Sequence, residues 1–283
     1  MKVAKYNLID LMTPISQSKP VKLENDLALI LTASIDIKGM PRATPTVPEQ
    51  RQEDYFKSLS YYVNNHPIVR KIIFIENSGW DLSRVKEAAK DNPHHKEIEF
   101  ISLNCNDFPR RYGKGFGECL LIAKGVEKSA LYETVTHVAK ITGRIYLENL
   151  TTIVSSINKP FDCFCDYKDQ GYKLRRLWGE THVGPHCDTR FLIFSKQFYH
   201  EYIQPLHIKH QQKEPRGFCI EAEFYYAIKA AEANNTVISR FAVEPKFSGV
   251  AGHFGGKDYD STLEKTKYQI RSFSRVALPW LHF

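Results

Sequence analysis

Residues 26 to 34 read Asp-Leu-Ala-Leu-Ile-Leu-Thr-Ala-Ser, a near-continuous apolar run closed by small polar residues. A strand with no polar alternation has both faces covered, the situation of a strand inside a sheet with helices on both sides. Three further apolar runs follow, at Lys71–Ile75, Ile98–Leu103 and His137–Ile141. Between them lie segments of helical period: Glu49–Asn64, with Tyr55, Leu59 and Val63 on one stripe, and Glu118–Leu131. Pro41, Pro45 and Pro48 keep the chain extended before the first helix, and Asp81 is placed to cap a helix after the second strand. Strands alternating with helices predict an α/β fold with a mainly parallel sheet, whose ligand site lies beyond the carboxyl ends of the strands. Thr32, Ser34, Glu76, Asn77 and Lys114 are expected to gather there.

The second half is less regular. Phe161–Tyr167 and Arg190–Phe194 read as strands, Gln197–Tyr202 and Glu221–Asn234 as helices, and Leu263–Arg271 as a further helix. Residues 249 to 256 hold Gly249, Gly252, Gly255 and Gly256 and read as a flexible loop carrying His253. No internal repeat or low-complexity stretch is present.

With 39 basic and 32 acidic residues the chain carries a net charge of +7, which suits anionic ligands, anionic lipid surfaces or nucleic acid. The first residues lack the sustained apolar core of a signal peptide, and no run is long enough to span a membrane. Six cysteines without a compact spacing framework fit the reducing cytoplasm, and Cys163 and Cys165 read as core packing.

Between Gly113 and Asn149 the chain places Gly-Lys-Gly-Phe-Gly-Glu at one strand–helix junction and Lys140-Ile-Thr-Gly-Arg144 at another. Cations and exposed backbone N–H groups at such junctions bind anions. The order of parts resembles the GT-A class of nucleotide-sugar glycosyltransferases, nearest to bacterial enzymes that build capsule or lipopolysaccharide glycans. The segments that carry the resemblance are Glu76–Gly79, Gly113–Gly115 and Lys140–Arg144, and as a layout it covers roughly residues 26 to 150.

That resemblance implies one catalytic domain over residues 1–283, with a donor half at 26–150 and an acceptor and catalytic half at 151–283. It implies a nucleotide-sugar donor held by Thr32, Ala33, Ser34, Arg51, Glu76, Asn77, Ser78, Lys114, Gly115, Lys140, Thr142, Gly143 and Arg144. His253 and Lys257 would close over the phosphates from a lid. The acceptor would be a glycan or lipid-linked glycan, and a cytoplasmic enzyme of this kind would contact the inner membrane peripherally. Many members hold a divalent cation with an Asp-x-Asp pair after the fourth strand, where this chain has Thr142-Gly143-Arg144. Arg144 and Lys140 are therefore expected to neutralise the leaving phosphate without a metal cofactor. Asp162, Asp166 and Asp169, or Asp258 and Asp260, are the carboxylates left for an ion.

Transfer to a hydroxyl with inversion needs a base. Glu221 at the opening of a late helix is the first candidate and Glu223 the second; a helix dipole alone would also favour acids there. Asp188 could face a sugar or simply cap a turn. His182 and His186 do not form a zinc pair, since Gly184-Pro185 between them breaks a helix. A nucleotidyltransferase shares the sheet layout but would ordinarily need acidic metal ligands. A nucleic-acid-binding role has net charge in its favour and no binding motif.

Overall fold

A computed structural model describes residues 23, 26–177, 184–212, 219–252 and 258–278. Its centre is a seven-stranded sheet. The strands are β1 (Leu27–Ala33), β2 (Lys71–Glu76), β3 (Glu97–Ser102), β4 (His137–Thr142), β6 (Cys163–Phe164), β9 (Phe191–Ser195) and β10 (Val237–Ile238). They lie in the order β10-β6-β9-β4-β1-β2-β3. The four strands β4, β1, β2 and β3 are mutually parallel, β9 runs antiparallel between β4 and β6, and β10 pairs parallel to β6. Two short antiparallel ribbons stand outside it: β5 (Ile145–Leu147) with β11 (Phe247–Gly249), and β7 (Tyr167–Lys168) with β8 (His186–Cys187).

The unbroken apolar run of β1 is explained by what covers it. Leu27, Leu29 and Leu31 pack on one face with Tyr55, Leu59, Tyr62 and Val63 of α1 (Pro48–Asn64). Ala28 and Ile30 pack on the other with Phe116, Ile122 and Val126 of α2 (Gly113–Val126) and Phe224 and Ile228 of α5 (Ile220–Ala231). The sequence reading of an α/β fold with a mainly parallel sheet is the observed architecture.

Several boundaries differ. The glycines of Gly-Lys-Gly-Phe-Gly are the first turn of α2, not a loop. Gly117 and Gly125 are contact devices, because a Cβ on the first would collide with the Phe108 ring and on the second with Ile75 of β2. Phe161–Tyr167 is broken into β6 and the start of β7, with Cys165 and Asp166 between them. Among the helices that went unread are α3 (Gly171–Leu177) and α4 (Pro205–Gln212), the second reached through a π-helical turn at Tyr199–Ile203. The last helix, α6 (Thr262–Ala277), outruns its expected end. Cys163, Cys165 and Cys187 are buried together in the core. No helix among the described residues is long and apolar enough to cross a membrane.

The carboxyl end of α1 is closed by Lys96, whose Nζ donates to the carbonyls of Tyr62 (2.5 Å), Asn65 and His66 (3.0 Å). His66, in the left-handed region at φ 53°, is buried beside that ammonium, and its Nε2 has no hydrogen-bond partner. Burial first, and the Lys96 charge second, push its pKa down to about 4. A histidine depressed in the fold is protonated first in the unfolded chain, so stability held above pH 6.5 is lost as the pH falls toward 4. We expect unfolding titrations between pH 7 and 4.5 to show about 2–3 kcal/mol of such loss, absent in His66→Asn, a residue that tolerates the same backbone.

Candidate active site

The site lies at the carboxyl ends of β1 and β4, where chain connections leave in opposite directions across the sheet. Gly143 makes it compact. Its N–H donates to Thr32 O (3.1 Å), and any Cβ there would strike that carbonyl. Gly143 is thus required by the close approach of the two strand ends, and it starts the turn that delivers Arg144.

Four cationic side chains converge here from four separate segments. Arg144 is 4% exposed, with Nη2 on Thr44 O (2.7 Å) and Nη1 on Asp54 Oδ2 (3.3 Å). Arg51, from the first turn of α1, donates from Nε to Ser34 O (2.6 Å) and from Nη1 to Pro45 O (3.2 Å). Lys114, in the first turn of α2, reaches Arg42 O (2.9 Å) and Gly252 O (3.3 Å). Burial lowers the pKa of Lys114; the Glu221 carboxylate opposes this, while the charges of Arg144, Arg51 and Arg42 reinforce it. Burial likewise depresses Arg144. Cations that depress one another are held together against their own repulsion, and an anion between them relieves it.

The partners of these donors matter as much as the charges. Carbonyls of Ser34, Arg42, Thr44, Pro45 and Gly252, all outside regular secondary structure, take the N–H groups. Backbone oxygens on two loops stand where the oxygens of an anionic ligand would bind. On the outer side of Arg144 a cavity of about 520 Å³ opens, lined by Asp54, Lys57, Tyr61, Tyr146, Val250 and Asp260 among others. That volume is in the range of small-molecule sites.

Beneath the cations is a second layer. Lys140 is fully buried and does not face the open space, contrary to its expected contact with a phosphate. An ammonium in the middle of an apolar strand must be paired, and it is: Glu118 Oε1 lies at 2.7 Å and Thr189 O at 2.5 Å. The same Glu118 oxygen accepts from Thr32 Oγ1 (2.9 Å), and Thr142 Oγ1 accepts from Lys140 (3.4 Å). Lys140 and Glu118 therefore clamp α2 to β1 and β4 and fix where Lys114 stands. Glu118 escaped the sequence reading, although a lysine inside His-Val-Ala-Lys-Ile-Thr was itself the signal that a carboxylate must lie opposite. Arg42 and Asp54 were also unread; each is an ordinary surface residue type in a loop or helix.

Glu76 likewise serves the fold rather than the open site. It is fully buried and accepts the amides of Ile35 (3.1 Å), Ser78 (2.9 Å), Gly79 (3.0 Å) and Trp80 (3.3 Å), as well as the Ser78 hydroxyl. It thereby binds the turn after β2 to the turn after β1. Asn77 donates its N–H to Ala33 O (3.1 Å), and its buried Oδ1 has no partner. Gly115 is buried in the first turn of α2.

Of the three carboxylates considered as base, Glu221 in the first turn of α5 is the one whose charge acts on Lys114. Glu223 is exposed. Asp188 is buried, forms a two-pronged ion pair with Arg190, and is held well below the usual carboxylate range against its burial by that guanidinium. Arg190 is fixed in turn by Tyr259 Oη (3.1 Å) and by the Phe247 ring, 4.2 Å from its centre. His253, Lys257 and His182 lie outside the described residues. Ala251 and Gly252 lead into the 253–257 stretch, and a Cβ on Gly252 would overlap the Arg144 guanidinium.

The donor set at the end of β4 does not fit a divalent cation: Thr142-Gly143-Arg144 offers no carboxylate and adds a positive charge. Among the described residues no group of three or more His, Cys, Asp or Glu side chains converges. Asp166 is consumed by Arg275 (2.8 Å), Asp258 accepts the Asp260 amide (2.8 Å) and Asp260 accepts the Gly249 amide of β11 (3.3 Å).

No protein-family model and no curated protein matches the chain. Solved structures similar to it include HddC from Yersinia pseudotuberculosis, 15% identical, with 86% of this chain and 98% of that one covered at a TM-score of 0.35. The inositol-1-phosphate CTP transferase from T. maritima is 11% identical, with 89% and 97% covered at 0.44. The mannosyltransferase Ktr4p from S. cerevisiae is 11% identical, with 68% and 66% covered at 0.41. Likeness at this level leaves activity to be argued from this chain's own residues.

Proposed function

We propose that the chain is a glycosyltransferase that takes a sugar from a nucleotide-activated donor to a hydroxyl of a glycan, without a metal cofactor. The observation that carries this reading is the convergence of Arg42, Arg51, Lys114 and Arg144 at the ends of β1 and β4. A nucleoside diphosphate leaving group needs positive charge where the glycosidic bond breaks, and preorganised cations in a water-poor site supply it at no reorganisation cost. Arg144 and Arg51 bring planar forks matched to phosphate oxygens, and Lys114 brings a point charge. The positive end of the α2 dipole, at the turn that carries Lys114, acts in the same direction. Donor binding displaces the loop carbonyls from these groups, and the loop carrying Gly252 then shields the activated sugar from water. Glu221, opposite Lys114, takes the acceptor proton. Residues 26–150 hold the donor, and 151–283 supply base and acceptor contacts. A bacterial surface glycan as acceptor rests on the sequence resemblance.

Thermal unfolding in the presence of UDP-, GDP-, CMP-, ADP- and dTDP-sugars, each with chelator and with Mg²⁺ or Mn²⁺, tests the reading. One nucleotide class should raise Tm equally with and without chelator, by several degrees at a hundred-fold excess over Kd. Absence of any shift removes the reading. Turnover that yields pyrophosphate from a nucleoside triphosphate would make the protein a nucleotidyltransferase instead.

A further inference from the structure

Helix α6 is docked the wrong way round for a surface helix. Amphipathic helices turn their apolar stripe to the core and their charges to water. Here the inward face carries Glu264 and Arg275, both buried, while Leu263 (63% exposed), Ile270 (62%), Phe273 (75%) and Val276 (80%) point outward. Leu263, Ile270 and Ala277 are spaced by two turns, with Phe273 between the last two, so the residues form one strip along the helix rather than scattered contacts. Contiguous exposed apolar strips mark interaction surfaces.

From this orientation we infer that α6 is a docking element for an anionic lipid surface. The rim of the strip decides between occupants. At 100° per residue Lys265 borders the strip on one side and Lys267 on the other. The only acid of the helix, Glu264, is buried on the opposite face, where it lies 2.8 Å from the Lys267 ammonium and leaves that lysine side chain 43% exposed. A second copy of the same strip would bring lysine rims together, an arrangement of like charge that opposes pairing. An anionic bilayer accepts both features: the apolar strip enters the acyl boundary while the lysine stems lie along it and their ammonium groups reach the headgroups. The net charge of +7 acts in the same direction. The inference is independent of the reaction the site performs.

The full chain should be sedimented with vesicles of phosphatidylcholine alone and of phosphatidylcholine with phosphatidylglycerol. It should partition to the anionic vesicles, much less to the neutral ones, and weaken as salt rises. The double variant Ile270→Glu/Phe273→Glu should lower that partition by about ten-fold or more, with Tm unchanged because both side chains face solvent. Lys265→Glu should lower it on anionic vesicles alone. Wild type that stays in the supernatant, or a double variant that binds as wild type does, overturns the proposal. Light scattering that shows a wild-type dimer and a monomeric double variant assigns the strip to a second copy, and a fall in Tm assigns it to another part of this chain; either result also overturns it.

Discussion

Arg144→Ala is expected to lower turnover with the productive sugar nucleotide by about 10²–10³-fold, the effect of removing one preorganised donor from a developing anion. That corresponds to about 2.7–4 kcal/mol of transition-state stabilisation. The site favours so large a term because Arg144 is buried, with its pKa lowered by desolvation, so its field acts through little water. Stability should fall by less, about 1–3 kcal/mol, from the loss of the Thr44 carbonyl bond and the Asp54 pair. Urea titration beside steady-state kinetics separates the two. Arg144→Lys restores charge without the fork that spans Thr44 and Asp54, and should recover only part of the rate. Glu221→Gln should lower kcat while leaving nucleotide affinity within a few-fold, whereas Arg144→Ala should weaken nucleotide affinity as well. If Arg144→Ala keeps wild-type turnover, or loses it only in proportion to unfolded protein, the cation cluster is not a leaving-group site.

How far this site was legible depends on what each residue signals alone. β1 and β2 were readable because burial on both faces demands an unbroken apolar run, and such runs are rare enough to stand out, while β4 shows the same run broken by one lysine and the edge strand β3 alternates. Their carboxyl ends then located Thr32, Glu76 and Arg144 in one region. The role of each was harder. Glu76 looks like a ligand in sequence and is instead saturated by backbone amides, a fact of turn geometry that no spacing encodes. Gly113, Gly115 and Gly117 read as loop, yet they open α2, where Gly117 makes room for the Phe108 ring, a contact that no local pattern encodes. Lys140 shows both sides: its position in an apolar strand announced burial, while its partner Glu118 was set by how α2 crosses the sheet. The tail misled in the opposite way. α6 has an amphipathic pattern that normally says which face is inside, and its anchoring reverses that rule.

That anchoring makes Arg275→Ala the substitution with the largest expected cost in stability. Arg275 places Nη1 and Nη2 each 2.8 Å from the two Asp166 oxygens, Nε 2.7 Å from Glu244 Oε2, and Nη1 also 2.9 Å from Phe241 O. Asp166 and Glu244 are both buried. Removing the guanidinium takes the hydrogen-bonded cation from two interior carboxylates, leaving Lys168 on Asp166 at 2.6 Å and the charge of Arg240 near both, and breaking such a network costs about 3–5 kcal/mol. The pH dependence gives the mechanism a signature. In the wild type Arg275 and Lys168 hold the Asp166 carboxyl below its ordinary range despite its burial, so its stabilising share is present above the unfolded pKa and is lost as pH falls through the lowered one. Without Arg275 the burial of Asp166, which by itself raises its pKa, favours the protonated form, so acid relieves the variant while it costs the wild type. The stability gap, measured by urea unfolding at pH 7.5 and 4.5, should therefore narrow in acid. A gap of the same size at both pH values would mean that α6 is held by packing and not by charge, and a gap below about 1 kcal/mol would mean that the network adds no more than an exposed pair.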